Sequence, residues 1–284
     1  MLIIQLSGGL GNQMFQYAAG KAQALRLNTD LYLDKTHFLT TPLGKVNLRQ
    51  YELSQFSFNQ KFKHPNFHWI KKYLKVKQVY NGFKTYIDPH VHFNADFFKI
   101  SDKTYIEGFF QSEKYFNDYS SEIRSDFKFK NPPQGLNLEL FNKIQSLNAI
   151  SVHVRRGDYV NNPETLKSHG ICGLDYYQNA VELIVSKVEK PYFFLFSDEP
   201  EWVQQNLKLD YPYEVISHNK GESSFEDMRL MSVCKHNIVA NSSFSWWGAW
   251  LNNNFNKTII APKSWFINPD WDSKDIIPDS WIKI

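Results

Sequence analysis

Two arginines, a histidine and an aspartate crowd the segment SVHVRRGDYV, Ser151 to Val160. His153 and Arg155 lie two apart, so on a strand they project from one face. Arg155, Arg156 and Asp158 then gather at the strand's carboxyl end, where Gly157 permits a turn. A guanidinium keeps its charge and binds phosphate oxygens in bidentate fashion, so an arginine pair there suits a diphosphate. Asp158 is either a base or the arginines' ion-pair partner. The cluster as a whole favours a functional role over a structural one.

Other segments place polar groups in comparable positions. LSGGLGNQMF puts Gly8, Gly9 and Gly11 at the end of the first apolar run. A dinucleotide fingerprint would need glycine where Met14 stands, and the Gly-Lys-Ser/Thr of a P-loop is absent. Two readings remain: a tight strand-to-helix turn capped by Asn12, or a backbone that approaches an anionic ligand closely, with Asn12 and Gln13 adding amide donors. Asn241, Ser242 and Ser243 follow a strand and open a helix, so they are helix caps or phosphate contacts. Glu226 and Asp227 open the preceding helix, where acids suit the dipole and where one of them could accept hydrogen bonds from a base or ribose. In FSDEPEW, Asp198 is expected to cap the helix that Pro200 begins; a nucleotide contact is the second reading. Asp270 and Asp272 spell Asp-Trp-Asp, but in a proline-containing stretch rather than after a strand. They read as loop, and with arginines on the diphosphate no metal is required.

The elements that must position these residues are legible mainly in the second half. MLIIQL, NQMFQYAAGKAQALRL and DLYLD read as strand, helix and strand, a βαβ unit that implies a parallel sheet. From Thr36 to Pro133 the pattern is irregular, with one or two strands expected near Thr104 to Ile106 and a helix near Ser112 to Phe116. KNPPQG interrupts both helix and sheet and marks a linker, dividing the chain into residues 1–133 and 134–284. Beyond a helix at Leu138 to Ile144, AISVHV, YFFLFS, YEVIS, HNIVA and KTIIAP alternate with helical stretches. Those stretches begin after Gly173, at Glu199, at a serine cap before Phe225, and at Ser242. Five strands in such alternation predict a Rossmann-like α/β domain, whose ligands sit at the carboxyl ends of the strands.

Composition narrows the class. The chain has 284 residues, 42% hydrophobic and 21% charged, as globular proteins do. Its net charge of +3 lacks the basic excess of a nucleic-acid binder. The lysine-rich Lys61 to Lys77 stretch reads as solvated surface, or as a weak anchor on an anionic membrane face. Two cysteines make neither a disulfide framework nor a zinc site. No apolar run reaches the roughly 20 residues that span a bilayer, and the start lacks a signal peptide's features. A cytoplasmic protein, at most peripheral on the inner membrane face, is expected.

GGLGNQMFQYA, HVRRGDYV and NSSFSWWGAWL, in that order, resemble glycosyltransferase family 11, the α-1,2-fucosyltransferases, here of bacterial type. The resemblance runs over nearly the whole chain and is vague from Thr36 to Phe129. It implies a GT-B-type fold, two Rossmann-like domains facing a central cleft, with the acceptor side in the first domain. It implies GDP-L-fucose as donor, a galactose-ended oligosaccharide or lipid-linked glycan as acceptor, inversion at the anomeric carbon and no metal. By the same likeness Arg155 holds the β-phosphate with Arg156 beside it, and His153 and Asp227 contact the guanosine. Ser242 and Ser243 contact phosphates, and Asn12 reaches the donor from the first half. Asp158 is expected to be the base, with Glu164 as its competitor. A non-catalytic sugar- or nucleotide-binding protein is the alternative.

Overall fold

The computed structural model describes residues 1–39, 49–63, 82–88 and 90–284, and of Leu39 and Asp158 the backbone only. Most of the Lys61 to Lys77 stretch lies outside the described residues. The chain divides into two compact units, residues 1–130 with 274–276, and residues 131–273 with 277–284. The division falls within KNPPQG. Among the described residues, no helix is long and apolar enough to cross a membrane.

In the first unit, β1 (Leu2–Gln5), β2 (Leu31–Asp34), β3 (Lys84–Ile87) and β4 (Thr104–Glu107) form a parallel sheet in the order β2-β1-β4-β3. The helix Leu10–Arg26 follows β1 and buries Met14, Phe15, Ala18, Ala19 and Ala22, the small side chains admitting close packing. The segment at Lys274–Ile276 belongs to this unit: Asp275 accepts from the Phe93 amide at 3.1 Å and pairs with Lys114. The expected strand near Thr104 is β4. The expected helix near Ser112 is two short 3₁₀ turns, Glu113–Tyr115 and Asn117–Tyr119.

The second unit carries β5 (Asn148–Val154), β6 (Pro191–Ser197), β7 (Tyr213–Ile216), β8 (His236–Ile238), β9 (Ile259–Ala261) and β10 (Ile282–Lys283). Their order is β10-β9-β8-β5-β6-β7, and every pairing is parallel. Both faces of β5 are covered, so Ala149 to Val154 are all buried rather than alternating. One face packs on the helix Leu174–Val185 through Tyr176, Ala180 and Ile184, spaced i, i+4 and i+8, joined by Phe193, Leu195, Ile238 and Ile260. Each large apolar side chain so buried stabilises the unit by about 1.5–3 kcal/mol. Trp246 and Trp247 on the helix Ser243–Leu251 are fully buried and stack edge-on at 5.0 Å, so these rings are core.

Each sheet reverses its direction of growth once. In the second unit β6 and β7 extend from one side of β5, and β8 lies on the other. In the first, β2 lies on one side of β1 and β4 on the other. The loops leaving the two strands at such a point diverge and open a crevice at their carboxyl ends. These crevices are where HVRRGD and ANSS, and GGLG and EGFFQ, emerge.

Candidate active site

The β5–β6 register sets the geometry of the arginines. Val154 stands opposite Ser197, so the next residues, Arg155 and Asp198, face each other as the two strands end. Arg155 Nη1 lies 2.8 Å from Asp198 Oδ2. The other Asp198 oxygen accepts from the Arg156 backbone amide at 3.0 Å. Arg156 Nε meets Glu199 Oε2 at 3.1 Å, and its guanidinium stacks on Trp202 with the carbon 3.6 Å from the ring centroid. A Cβ on Gly157 would fall 2.4 Å from Asp198 Oδ2, so only glycine lets this carboxylate cross the turn.

This corrects the expectation that Asp198 caps the following helix. The helix Pro200–Asn206 has Glu199 at its N-cap, with no side-chain cap bond. Asp198 is drawn to the arginines because the parallel register leaves it beside them. Glu199 and Trp202 are thus site residues that sequence reasoning did not assign, and Asp198 is one that it read first as a helix cap. The signal was present, as acids directly after one strand and bases directly after its neighbour.

His153 is buried, 4% exposed, and its ring lies 5.8 Å from Phe244. Burial, and secondarily the charge of Arg155, pushes the imidazole down to about 3, so it is neutral at physiological pH. Its Nδ1 is buried without a hydrogen-bond partner among the described residues. Such an atom is costly unless something completes it.

Across the switch point, Ser242 is the N-cap of the helix Ser243–Leu251, its hydroxyl accepting from the Phe244 amide at 3.4 Å. Ser243 begins that helix and is partly exposed. Asn241 is a bracket: buried, its Nδ2 donates to the carbonyls of His169 at 2.9 Å and Trp265 at 3.2 Å. The Tyr159 hydroxyl donates to the Asn241 carbonyl at 3.2 Å, tying the loop after β5 to the loop after β8.

Asp227, on the helix Phe225–Val233, accepts from Asn219 Nδ2 at 2.8 Å, and Asn219 in turn exchanges hydrogen bonds with Asn137. Burial pushes the Asp227 carboxyl up to about 7, against the Asn219 hydrogen bond and with the help of Glu226. The expected serine cap of this helix is corrected. Ser224 occupies the cap position with helical backbone angles, φ −58° and ψ −26°, and makes no side-chain cap bond. A preceding 3₁₀ turn, Gly221–Ser223, already holds the chain in that conformation.

Asp158 belongs to the short helix Gly157–Asn161, and its side chain lies outside the described residues. Glu164 is exposed on the helix Pro163–His169, whose cap is Asn162.

Asn12 belongs to the first unit. The helix there begins at Leu10 with Gly9 as N-cap, so Asn12 is inside the first turn and does not cap it. Its Oδ1 accepts from Gln111 Nε2 at 2.7 Å. Gly8 adopts φ +73°, and a Cβ there would meet Asn12 Nδ2 at 2.6 Å. Gln13 is buried and engaged with the protein itself, donating to the Gly8 and Gln50 carbonyls at 3.0 and 2.8 Å and accepting from the Glu52 amide at 2.9 Å. It is a clamp rather than the ligand donor expected of it. Chemically, the second unit therefore presents two guanidinium groups, a helix N-terminus and a neutral imidazole around one crevice, a set suited to an anionic leaving group.

A family model described as "Glycosyl transferase family 11" matches residues 1–284. The chain is 34% identical to an alpha-1,2-colitosyltransferase of Escherichia coli, over 100% of this chain and 99% of that protein. It is 31% identical to the O-antigen biosynthesis glycosyltransferase WbnK of Escherichia coli, over 98% and 99%. Among solved structures it resembles NodZ alpha-1,6-fucosyltransferase soaked with GDP-fucose, TM-score 0.50, 13% identity, covering 88% of this chain and 92% of that one. It also resembles a variant of Arabidopsis thaliana FUT1 in complex with GDP, TM-score 0.52, 10% identity, covering 92% and 70%. These two likenesses bear on fold, which is the GT-B type.

Proposed function

The chain belongs to glycosyltransferase family 11, and from that premise we propose that it transfers L-fucose from GDP-L-fucose to the 2-hydroxyl of a galactose-ended glycan. The transfer inverts the anomeric carbon and uses no metal. The observation that carries this reading is the arginine pair at the switch point of the second sheet, fixed by Asp198 and Glu199 at 2.8 and 3.1 Å.

In the reaction the acceptor oxygen bonds to C1 of fucose as the bond from C1 to the β-phosphate oxygen breaks. The bonding pair leaves with GDP. Arg155 neutralises the charge that accumulates on the β-phosphate, Arg156 assists, and Ser242 and Ser243 contact further phosphate oxygens. Neutral His153 and Asp227 contact the guanosine, the unpartnered Nδ1 of His153 being completed by the ligand. Asn12 contacts the donor. Asp158 takes the proton of the attacking hydroxyl. Replacing Asp158 by Asn should lower kcat far more than it weakens GDP binding; that outcome from Glu164→Gln instead would move the base to Glu164. The acceptor is a surface-polysaccharide glycan, free or lipid-linked, as the name of WbnK supports.

A second reading has one observation behind it, the 34% identity to a colitosyltransferase. Colitose lacks the 3-hydroxyl of L-fucose, and a site built to bond that hydroxyl discriminates strongly against its absence. Incubating the protein with GDP-L-fucose or GDP-colitose and a panel of β-galactosides, followed by NMR of the linkage, decides donor and linkage together. GDP release with neither donor would sink the proposal.

A further inference from the structure

The strands of the second unit end at the candidate active site; their amino ends form the opposite end of the sheet and take no part in it. Four loops enter β9, β8, β5 and β6 there, and these strands are neighbours in the sheet. The loops hold Lys257, Lys235, Lys190 and Lys187 and, among the described residues, one acid, Glu189. Hydrogen bonds join them into one surface. Asn254 Nδ2 donates to the Lys235 carbonyl at 3.3 Å, Lys235 Nζ to Asn148 Oδ1 at 2.8 Å, and Asn148 Nδ2 to the Glu189 carbonyl at 2.6 Å. Lys187, Glu189 and Lys190 are exposed, and Lys235 and Lys257 partly so. At the edges of the sheet the charges balance: Asp279, before β10, pairs with Lys283 at 3.7 Å, and Asp210, before β7, has Lys208 two residues away. The positive excess is therefore central. Lysines also suit helix carboxyl ends, as Lys257 does by donating to the Asn252 carbonyl. Helix polarity does not account for what stands beside them.

Phe255, in the loop before β9, is 98% exposed. The loop that carries it is built, not loose. Asn252 is buried; its side chain accepts from the Asn254 amide at 2.8 Å and donates to Asn237 Oδ1 at 2.8 Å. Asn254 Oδ1 accepts from the Asn256 amide at 3.2 Å, and the Lys257 amide donates to the Asn254 carbonyl at 3.3 Å. Asparagines thus fix the turn from within and leave the phenyl ring outside, where it forgoes the stabilisation of burial. A protein partner would need a shaped apolar area to grip, but the loop neighbours Asn253 and Asn256 are polar and exposed. A lipid interface is fluid and needs no shaped complement. An aromatic ring enters the boundary between headgroups and acyl chains while lysines around it meet negative headgroups. An anionic bilayer is the partner that both features fit.

We propose that the amino end of the second unit's sheet is a membrane-docking surface, where Phe255 inserts at the interface of an anionic bilayer and Lys187, Lys190, Lys235 and Lys257 face its headgroups. Its purpose rests on the reading of a glycosyltransferase with a lipid-linked acceptor, but its binding chemistry is tested separately. The seven residues of β5 span about 23 Å, so the arginines at the far end stay on the aqueous side. Co-sedimentation of the full chain with vesicles compares phosphatidylcholine alone with phosphatidylcholine containing about one-third phosphatidylglycerol. The wild type is expected to bind the anionic vesicles, and to bind them much more weakly as salt rises from about 0.1 to 1 M. Phe255→Ser, and separately Lys187→Glu with Lys190→Glu, should each lower the partition constant about tenfold or more. Phe255→Trp should keep binding and gain fluorescence that brominated lipid quenches. Near-UV circular dichroism checks the fold of every variant. No binding to anionic vesicles, or partition within about twofold of wild type in both loss variants, overturns the surface. Self-association that Phe255→Ser abolishes, seen by light scattering without vesicle binding, also overturns it and assigns this face to a second copy. Vesicle binding that is lost in the variants of a protein that turns over no donor upholds the surface and sinks the transferase reading alone.

Discussion

Removing the Arg155 side chain separates its two roles, partner of Asp198 and stabiliser of the leaving group. The pair spans 2.8 Å, with side chains 18% and 25% exposed. Arg155→Ala does not strand Asp198, because the Arg156 amide still bonds its other oxygen at 3.0 Å. The structural loss is therefore about 1–2 kcal/mol, well short of the cost of isolating a buried charge. For a chain of this size each kcal/mol lowers the melting temperature by roughly 2–4 °C. The kinetic loss should be much larger. A preorganised donor aimed at developing negative charge contributes about 10²–10³ in kcat, or some 3–4 kcal/mol. The decisive variant is the double substitution Arg155→Ala with Asp198→Asn. Asparagine keeps an oxygen for the Arg156 amide and removes the carboxylate charge that has lost its guanidinium, so the melting temperature should return most of the way to wild type while turnover stays at least about a hundredfold down. Differential scanning calorimetry and a GDP-release assay read the two quantities on the same samples. If activity recovers together with stability, Arg155 is a structural ion-pair partner and the leaving-group argument fails.

Chelation by EDTA should leave turnover within about twofold, as two guanidinium groups require; a strict Mg²⁺ or Mn²⁺ dependence in the same assay would count against them. Gly8→Ala should lower the urea midpoint by an amount worth about 1–3 kcal/mol, since φ is +73° and the added Cβ would press on Asn12; an unchanged midpoint would show that the turn relaxes freely. Asp227 has a folded pKa near 7 against an ordinary 3.8, so between those values the folded protein holds a proton the unfolded chain has lost, and stability falls as pH rises through that window. Asp227→Asn should flatten this part of the stability–pH curve and gain stability at pH 8; parallel curves for the two proteins would refute the assignment.

The second sheet was readable because its strands are buried runs. Ile150 to Val154 and Phe193 to Phe196 carry the apolar signal directly, and the turns between them are marked by Gly173, Pro200 and Ser242. Strand β3 was missed for the opposite reason: Lys84–Ile87 is an edge strand with both ends exposed, so its four residues have no hydrophobic pattern to read. Within the site, Arg155, Arg156 and His153 announced themselves by type and spacing. Their partners did not. Asp198 pairs with Arg155 only through the register between β5 and β6, a long-range fact that local patterning, which reads Asp-Glu-Pro as a helix start, cannot supply. Gln13 misled in the same way, since an amide beside a glycine turn looks like a ligand donor until the Gly8 and Gln50 carbonyls are brought to it.

The carboxylates on the arginines also bear on how the site meets its ligand. Asp198 and Glu199 do not merely neutralise charge that a diphosphate would want; they fix where the guanidinium groups lie before it arrives. Arg156 is held by Glu199 at 3.1 Å and stacked on Trp202 at 3.6 Å, so its plane is set from two directions. A flexible arginine would have to be ordered on binding, at roughly 0.5–1.5 kcal/mol per side chain. Here the ordering is done during folding, and the phosphate oxygens need only find donors already in place. The same logic explains glycine at 157. A side chain there would displace Asp198, releasing Arg155 and the Arg156 amide at once, so the turn, the acid and both arginines act as one preorganised unit. Gly157→Ala should consequently cost turnover through loss of positioning although it touches neither the charge of the site nor its ligand.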